Sequence, residues 1–169
     1  MRLFLPVFEG RMSLPSIPHD FASRLAERVR TGLLVPGSRR RANYAVQSEN
    51  RDRIAFRAAT FSTAIAVGLN DVVVERRDST TLSYRVRFWR WTLYGVSLCA
   101  VIFVALAIGG LVWERKALDA HPYNPLLFWV QLGFWGLAWP WILTAVHKRF
   151  AARCLERILR EVLQAPPPA

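Results

Sequence analysis

Residues 91–112 read WTLYGVSLCAVIFVALAIGGLV, and residues 125–146 read PLLFWVQLGFWGLAWPWILTAV. Neither stretch contains a charged side chain. At 1.5 Å rise per residue, each makes a helix of about 33 Å, enough to cross the roughly 30 Å hydrocarbon core of a bilayer. A buried helix of a soluble protein is the competing reading. Two consecutive charge-free spans of this length, flanked by aromatic residues, weigh against it. Asn124 followed by Pro125 starts the second span well, since Asn caps and Pro is pre-set for the first helical position. Pro140 removes one helical N–H and predicts a kink.

The flanks predict how the spans are held. Trp89, Trp91, Trp113, Tyr123, Trp139 and Trp141 lie towards the segment ends, where indole and phenol rings suit a membrane–water interface. Arg85, Arg87 and Arg90 precede the first span, and Lys148 and Arg149 follow the second. The intervening residues 113–124 hold Arg115 and Lys116, offset by Glu114 and Asp119. Basic residues concentrate on the cytoplasmic side, so both termini are expected there and the short loop outside. The expected location is a bacterial inner (plasma) membrane. A loop this short makes the two helices antiparallel neighbours. Small residues let helices approach closely in lipid, which points to Ala105, Gly109, Gly133 and Gly136 as the contact. The spans carry Thr92, Ser97, Gln131 and Thr144 but no ionisable carboxylate, amine or imidazole at depth, which disfavours a pump or transporter.

The remaining sequence is read as one small α+β module. Residues 1–18 are expected to be a disordered lead-in, with Met12 as a possible alternative start. Over 19–34, Phe21, Leu25, Val29 and Leu33 recur at helical spacing, with Asp20 as the candidate cap. Strands are expected at 42–47, 53–59, 71–77 and 81–88, with turns at 49–52 and 78–80. Residues 61–69 fit a short helix slightly better than a strand, because Thr60 or Ser62 could cap it and Gly68 and Asn70 could end it. Residues 147–164 form an amphipathic helix whose apolar stripe is Phe150, Cys154, Leu155, Ile158, Val162 and Leu163. It is expected to pack on the sheet; lying on the membrane surface is the alternative. Residues 165–169 are Pro-rich and expected to be disordered. The predicted fold class is thus a membrane protein: a two-helix transmembrane hairpin (91–112 and 125–146) inserted in a cytoplasmic module of antiparallel sheet plus amphipathic helices (19–90 and 147–164).

The chain of 169 residues has a net charge of +11, with 23 basic against 12 acidic residues. All but two of the basic residues are Arg, the exceptions being Lys116 and Lys148. Basicity of this size suits an anionic membrane surface or nucleic acid. The second Arg cluster directly precedes a membrane span, where head groups already account for it, so nucleic acid is disfavoured, for Arg39-Arg40-Arg41 as well.

No phosphate-binding glycine loop, nucleophile elbow or HExxH motif occurs. His19, His121 and His147 are scattered over separate segments, and His121 with Glu114 and Asp119 reads as a solvated loop rather than a metal site. Cys99 and Cys154 have neither disulfide nor metal spacing and read as buried thiols. No catalytic residue, cofactor or metal is expected. The expected role is a membrane-tethered module that binds a protein partner or self-associates, with the lipid bilayer as its surroundings. A lipid or apolar-ligand binding module, with a cavity between sheet and last helix, is the second reading, and a lipid-modifying enzyme the third.

Overall fold

The structure is a computed structural model, and it describes residues 6–33, 44–117 and 125–164. In chain order its elements are β1 (Val7–Ser13), α1 (Phe21–Thr31), β2 (Tyr44–Asn50), β3 (Arg53–Ala58), α2 (Phe61–Val67), β4 (Asp71–Arg76) and β5 (Thr81–Arg87). These are followed by α3 (Trp89–Ala117), α4 (Pro125–Gly133), a π-helical segment (Phe134–Ala138) and α5 (Trp139–Gln164). The strands form one antiparallel sheet in the order β1-β5-β4-β3-β2.

Alternation builds the sheet. Ile54, Phe56 and Ala58 on β3, Val72 and Val74 on β4, and Leu82, Tyr84 and Val86 on β5 are all buried on one face. Against them pack Phe21, Leu25 and Val29 of α1 and Ala151, Cys154, Leu155, Ile158, Leu159 and Leu163 of α5, in one continuous core. Full burial of a side chain such as Phe56 or Leu155 contributes about 1.5–3 kcal/mol. The last helix therefore packs on the sheet, as its stripe implied. Phe150 is the exception in that stripe: it is half exposed, at the edge of the covered face.

The expected disordered lead-in is corrected over most of its length. Residues 7–13 are an edge strand paired with β5 from Val7↔Arg87 to Ser13↔Thr81, and Leu14 and Ile17 reach the core. The Pro6 carbonyl accepts the Phe88 N–H at 2.9 Å. Gly10 faces inward at a point where a side chain would overlap the Tyr84 ring. That absent side chain hides the strand's alternation. The Tyr84 hydroxyl donates to Glu156 Oε1 on α5 at 2.5 Å, and burial, then this bond, raises its pKa above the ordinary tyrosine value.

Other boundaries move for local reasons. Glu49 and Asn50, expected in a turn, pair with Ile54 and Arg53, so only Arg51-Asp52 turn the hairpin. The turn before β5 is pinned by Asp78 Oδ1, which accepts from the backbone N–H of Thr80 at 2.8 Å and of Thr81 at 2.7 Å. These bonds hold its carboxyl below the usual aspartate pKa. Asp20 makes no side-chain cap bond on α1 and pairs instead with Arg24 at 2.8 Å. Residues 61–67 are helical, with Thr60 Oγ1 accepting the Thr63 N–H at 3.2 Å.

Two helices are long and apolar enough to cross a membrane: Trp89–Gly110 and Leu126–Gln164. Their most apolar stretches are only 6% and 11% buried, whereas a soluble core helix would be mostly covered. The first helix continues to Ala117, so residues 113–117 of the expected loop are helical; residues 118–124 lie outside the described residues. The second runs without a break from α4 through the π segment into α5. Trp139 N–H reaches back five residues to Phe134 O immediately before Pro140. The wider step accommodates a residue that offers no N–H and crowds the carbonyl four positions earlier.

Candidate functional site

The sheet has a second face, and neither α1 nor α5 covers it. Strand registers arrange it in rows. Nearest α3 lies Val7–Arg87–Asp71–Arg57, next Glu9–Arg85–Val73–Ala55, and farthest Arg11–Ser83–Glu75–Arg53. Glu9, Arg11, Arg53, Asp71, Val73, Glu75, Ser83, Arg85 and Arg87 of these rows, with Arg77 just past β4, line a shallow concavity of about 740 Å³, and Arg57 stands beside it. Six Arg residues (11, 53, 57, 77, 85, 87) face three carboxylates, Glu9, Asp71 and Glu75. Ion pairs join Arg53 to Glu75 at 3.3 Å, Arg77 to Glu75 at 3.7 Å and Arg85 to Glu9 at 3.3 Å. All of these lie in the two rows away from α3 or, for Arg77, just beyond them. In the row nearest α3, Arg57 and Arg87 are exposed and have no ion pair among the described residues. Arg57 carried no signal in the sequence, because only the register of β3 against β4 brings it level with Arg87.

Beside that row the module joins the apolar helices. Asn70, 1% exposed, follows α2 and reaches the start of α3. Its Oδ1 accepts the backbone N–H of Arg90 at 2.7 Å and of Trp91 at 3.4 Å. Its Nδ2 donates to Ala64 O at 2.9 Å. Arg90 donates to Ala58 O at 3.3 Å, and its guanidinium lies 5.4 Å from the ring centroid of the exposed Trp89. Trp91 stacks on His147 of α5, with centroids 4.1 Å apart and planes 11° from parallel. Lys148 lies over Phe88 at 5.7 Å, and Phe61 of α2 meets Tyr94 of α3 edge-on at 6.4 Å.

The residues expected as interface anchors therefore divide. Trp89, Arg90, Trp91 and Lys148 gather at this junction, with Arg87 beside it; Arg85 is one row farther down the open face and Arg149 is exposed on α5. Trp139 is not at a segment end: it packs on Trp135, with centroids 4.9 Å apart, beside Phe134, in the middle of the continuous helix. Trp141 is 42% exposed two residues on. Tyr123 and the side chain of Trp113 lie outside the described residues, as do Asp119, His121 and Arg39-Arg40-Arg41.

The two apolar helices meet at three levels. A side chain on Gly110 would overlap Phe128, and one on Gly136 would overlap Phe103; Trp91 and His147 close the base. From level to level the position falls by seven and then twelve residues along α3, and rises by eight and then eleven along its neighbour. That is an antiparallel register. Of the four small residues expected at the contact, Gly136 is there. Gly109 and Gly133 face open space, and Ala105 is exposed; Gly110 takes the place given to Gly109. Overpacking costs about 1–3 kcal/mol, so Gly136→Leu is expected to lower the thermal midpoint of the full chain in detergent by several degrees. Gly133→Leu is expected to leave it unchanged or raise it. Equal losses at both positions would show that this register is wrong.

Chemistry beyond charge is sparse. Among the described residues no three His, Cys, Asp or Glu side chains converge as a metal site would require. Cys99 and Cys154 are buried free thiols, and burial pushes the Cys154 pKa up. Comparison with protein-family models, characterised proteins and solved structures gives no match.

Proposed function

We propose that the chain is a two-span integral membrane protein of a bacterial inner membrane, with both termini cytoplasmic, and that its α+β module docks a protein partner or a second copy of itself. The observation that carries the docking role is the open sheet face: a concavity rich in arginine on a sheet whose other face packs on α1 and α5. The membrane placement is supported by two long helices whose apolar side chains are exposed, among them Val101, Leu126, Leu137 and Val146. It is also supported by basic residues gathered where both helices enter the module. Trp89, Trp91 and Arg90 then serve as interface anchors, and the hairpin holds the sheet at a fixed height below the head groups through α5, one helix shared by membrane and core. A ligand cavity between sheet and α5 is less well supported, since Ile54, Phe56, Val72, Val74, Leu155 and Leu159 are each at most 1% exposed and pack against one another.

Cross-linking in membranes tests this reading. Charge reversal in the two rows away from α3, Arg53→Glu with Arg85→Glu, is expected to abolish the cross-linked species of the full chain, and raised salt to weaken it. An adduct indifferent to both would remove the sheet face from the contact. A C-terminal reporter active only outside the cytoplasm would overturn the orientation.

A further inference from the structure

We infer that the corner formed by Arg57, Arg87, Arg90 and Trp89 is a binding site for the anionic head group of a phospholipid. The inference rests on the membrane reading and gives the row nearest the bilayer a role separate from protein docking.

Three observations converge. The first is where unpaired charge lies. Glu9 and Glu75 occupy Arg85, Arg53 and the neighbouring Arg77, which leaves Arg11 as the single arginine of the far rows without an ion pair among the described residues, against two in the near row. Asp71 sits between Arg57 and Arg87 in register, yet makes no ion pair with either among the described residues. With β4 between them, the two Arg backbones stand about 10 Å apart, two strand spacings. The Asp71 carboxylate stands between them, and the longer Arg side chains reach past it to a phosphate approached from two sides.

The second is height. Arg87 ends β5, and α3 begins two residues later at Trp89. The row containing Arg57 and Arg87 is therefore the one level with the membrane entry of α3. The far rows, at about 3.3 Å per residue, lie some 7–13 Å lower, around or beyond the roughly 8 Å over which salt screens the surface. A lipid head group can reach the first row and not the others.

The third is the third wall. Arg90 is held to Ala58 O at 3.3 Å, on the residue next to Arg57, and rests near the face of Trp89. Trp89 is 45% exposed and so offers its ring to the glycerol region above the phosphate. Three guanidiniums and one carboxylate leave a net charge of +2 for a phosphodiester of charge −1. Arg presents paired N–H donors that match phosphate oxygens.

The test uses the full chain purified in mild detergent. Native mass spectrometry counts retained lipid after equal additions of phosphatidylglycerol and phosphatidylcholine. The wild type is expected to retain phosphatidylglycerol preferentially. Arg57→Gln and Arg87→Gln are each expected to weaken that retention about fivefold, the equivalent of about 1 kcal/mol per basic residue at an anionic surface. Arg11→Gln, in the farthest row, is expected to leave it unchanged. Equal retention of both lipids by the wild type overturns the site, as does a preference that survives the Arg57→Gln, Arg87→Gln double variant or is lost with Arg53→Gln instead. Carbonate-resistant insertion into phosphatidylcholine vesicles is measured in parallel. Insertion without lipid preference ends this inference alone; failure to insert ends the membrane reading beneath it.

Discussion

Asn70→Leu is expected to destabilise the full chain by about 3–5 kcal/mol, a large share of the 5–15 kcal/mol typical of a folded domain. The substitution leaves the backbone N–H groups of Arg90 and Trp91 without their acceptor at a site only 1% exposed, and it takes from Ala64 O one of its two donors, the Gly68 N–H remaining. Each buried group so deprived costs about 1–3 kcal/mol, and the added apolar contact of Leu returns part of it. In a chain of this size that corresponds to roughly 10 °C in the thermal midpoint, read by near-ultraviolet circular dichroism in detergent. Asn70→Asp separates the two halves of the role. A carboxylate keeps the acceptor at the N-terminus of α3, where the helix dipole favours negative charge by about 0.3–1 kcal/mol. It loses the donor to Ala64 and sets a carboxylate oxygen beside that carbonyl, a repulsion that offsets part of the gain. Asp is therefore expected to cost less than Leu at neutral pH. If Leu costs under 1 kcal/mol, or Asp costs as much as Leu, Asn70 does not cap α3.

Asn70 also marks where sequence reasoning stopped. The residue was legible as the end of α2, because Gly68 and Asn70 are helix terminators. Its second task was not: α3 begins with Trp89, preceded by Phe88, and neither side chain can accept a backbone N–H. The cap comes from a residue 20 positions before Arg90, and no local pattern contains it. The same physical limit explains the missed strand. β1 has Gly10 where an inward side chain would complete an apolar alternation, and the space is filled by Tyr84 from β5. An edge strand borrows its packing from its neighbour and leaves a weak signal of its own. By contrast, the apolar helices, the alternation of β3, β4 and β5 and the stripe on α5 were legible, because each depends on a period within one segment.

The candidate site divides along the same line. Arg85, Arg87, Trp89 and Arg90 are consecutive enough to be noticed as a basic and aromatic flank. Arg57 joins them only through the register Arg57↔Asp71 and Asp71↔Arg87. The helix contact shows how spacing can mislead. Ala105 and Gly109, four apart, do share a helix face, but spacing does not say whether that face meets the partner helix. The bulky Phe103 and Phe128 choose Gly136 and Gly110 by needing room for their rings.

Gly68→Val is expected to be as damaging at the junction as Asn70→Leu, at about 3–5 kcal/mol. Gly68 has φ +76° and ψ 3°, the left-handed conformation that ends α2. A residue with a Cβ held there costs about 1–3 kcal/mol, and a β-branched one falls at the upper end. The space is also taken: a Cβ at Gly68 would overlap the His147 imidazole, which is itself stacked on Trp91. Displacing that ring loosens the base of the antiparallel helix pair as well as the end of α2. Backbone strain and collision can be told apart. Gly68→Ala in the wild type carries both. In a His147→Ala background the collision is gone and only the strain remains, so the cost of Gly68→Ala is expected to fall by about 0.5–3 kcal/mol, the coupling typical of residues in direct contact. Equal costs in the two backgrounds would mean that His147 does not close over Gly68. The link between the module and the second helix would then rest on α5 packing alone. A positive coupling makes the αL turn at the end of α2 the point where the sheet registers against both apolar helices: Asn70 fixes the start of one, and His147 over Gly68 fixes the height of the other.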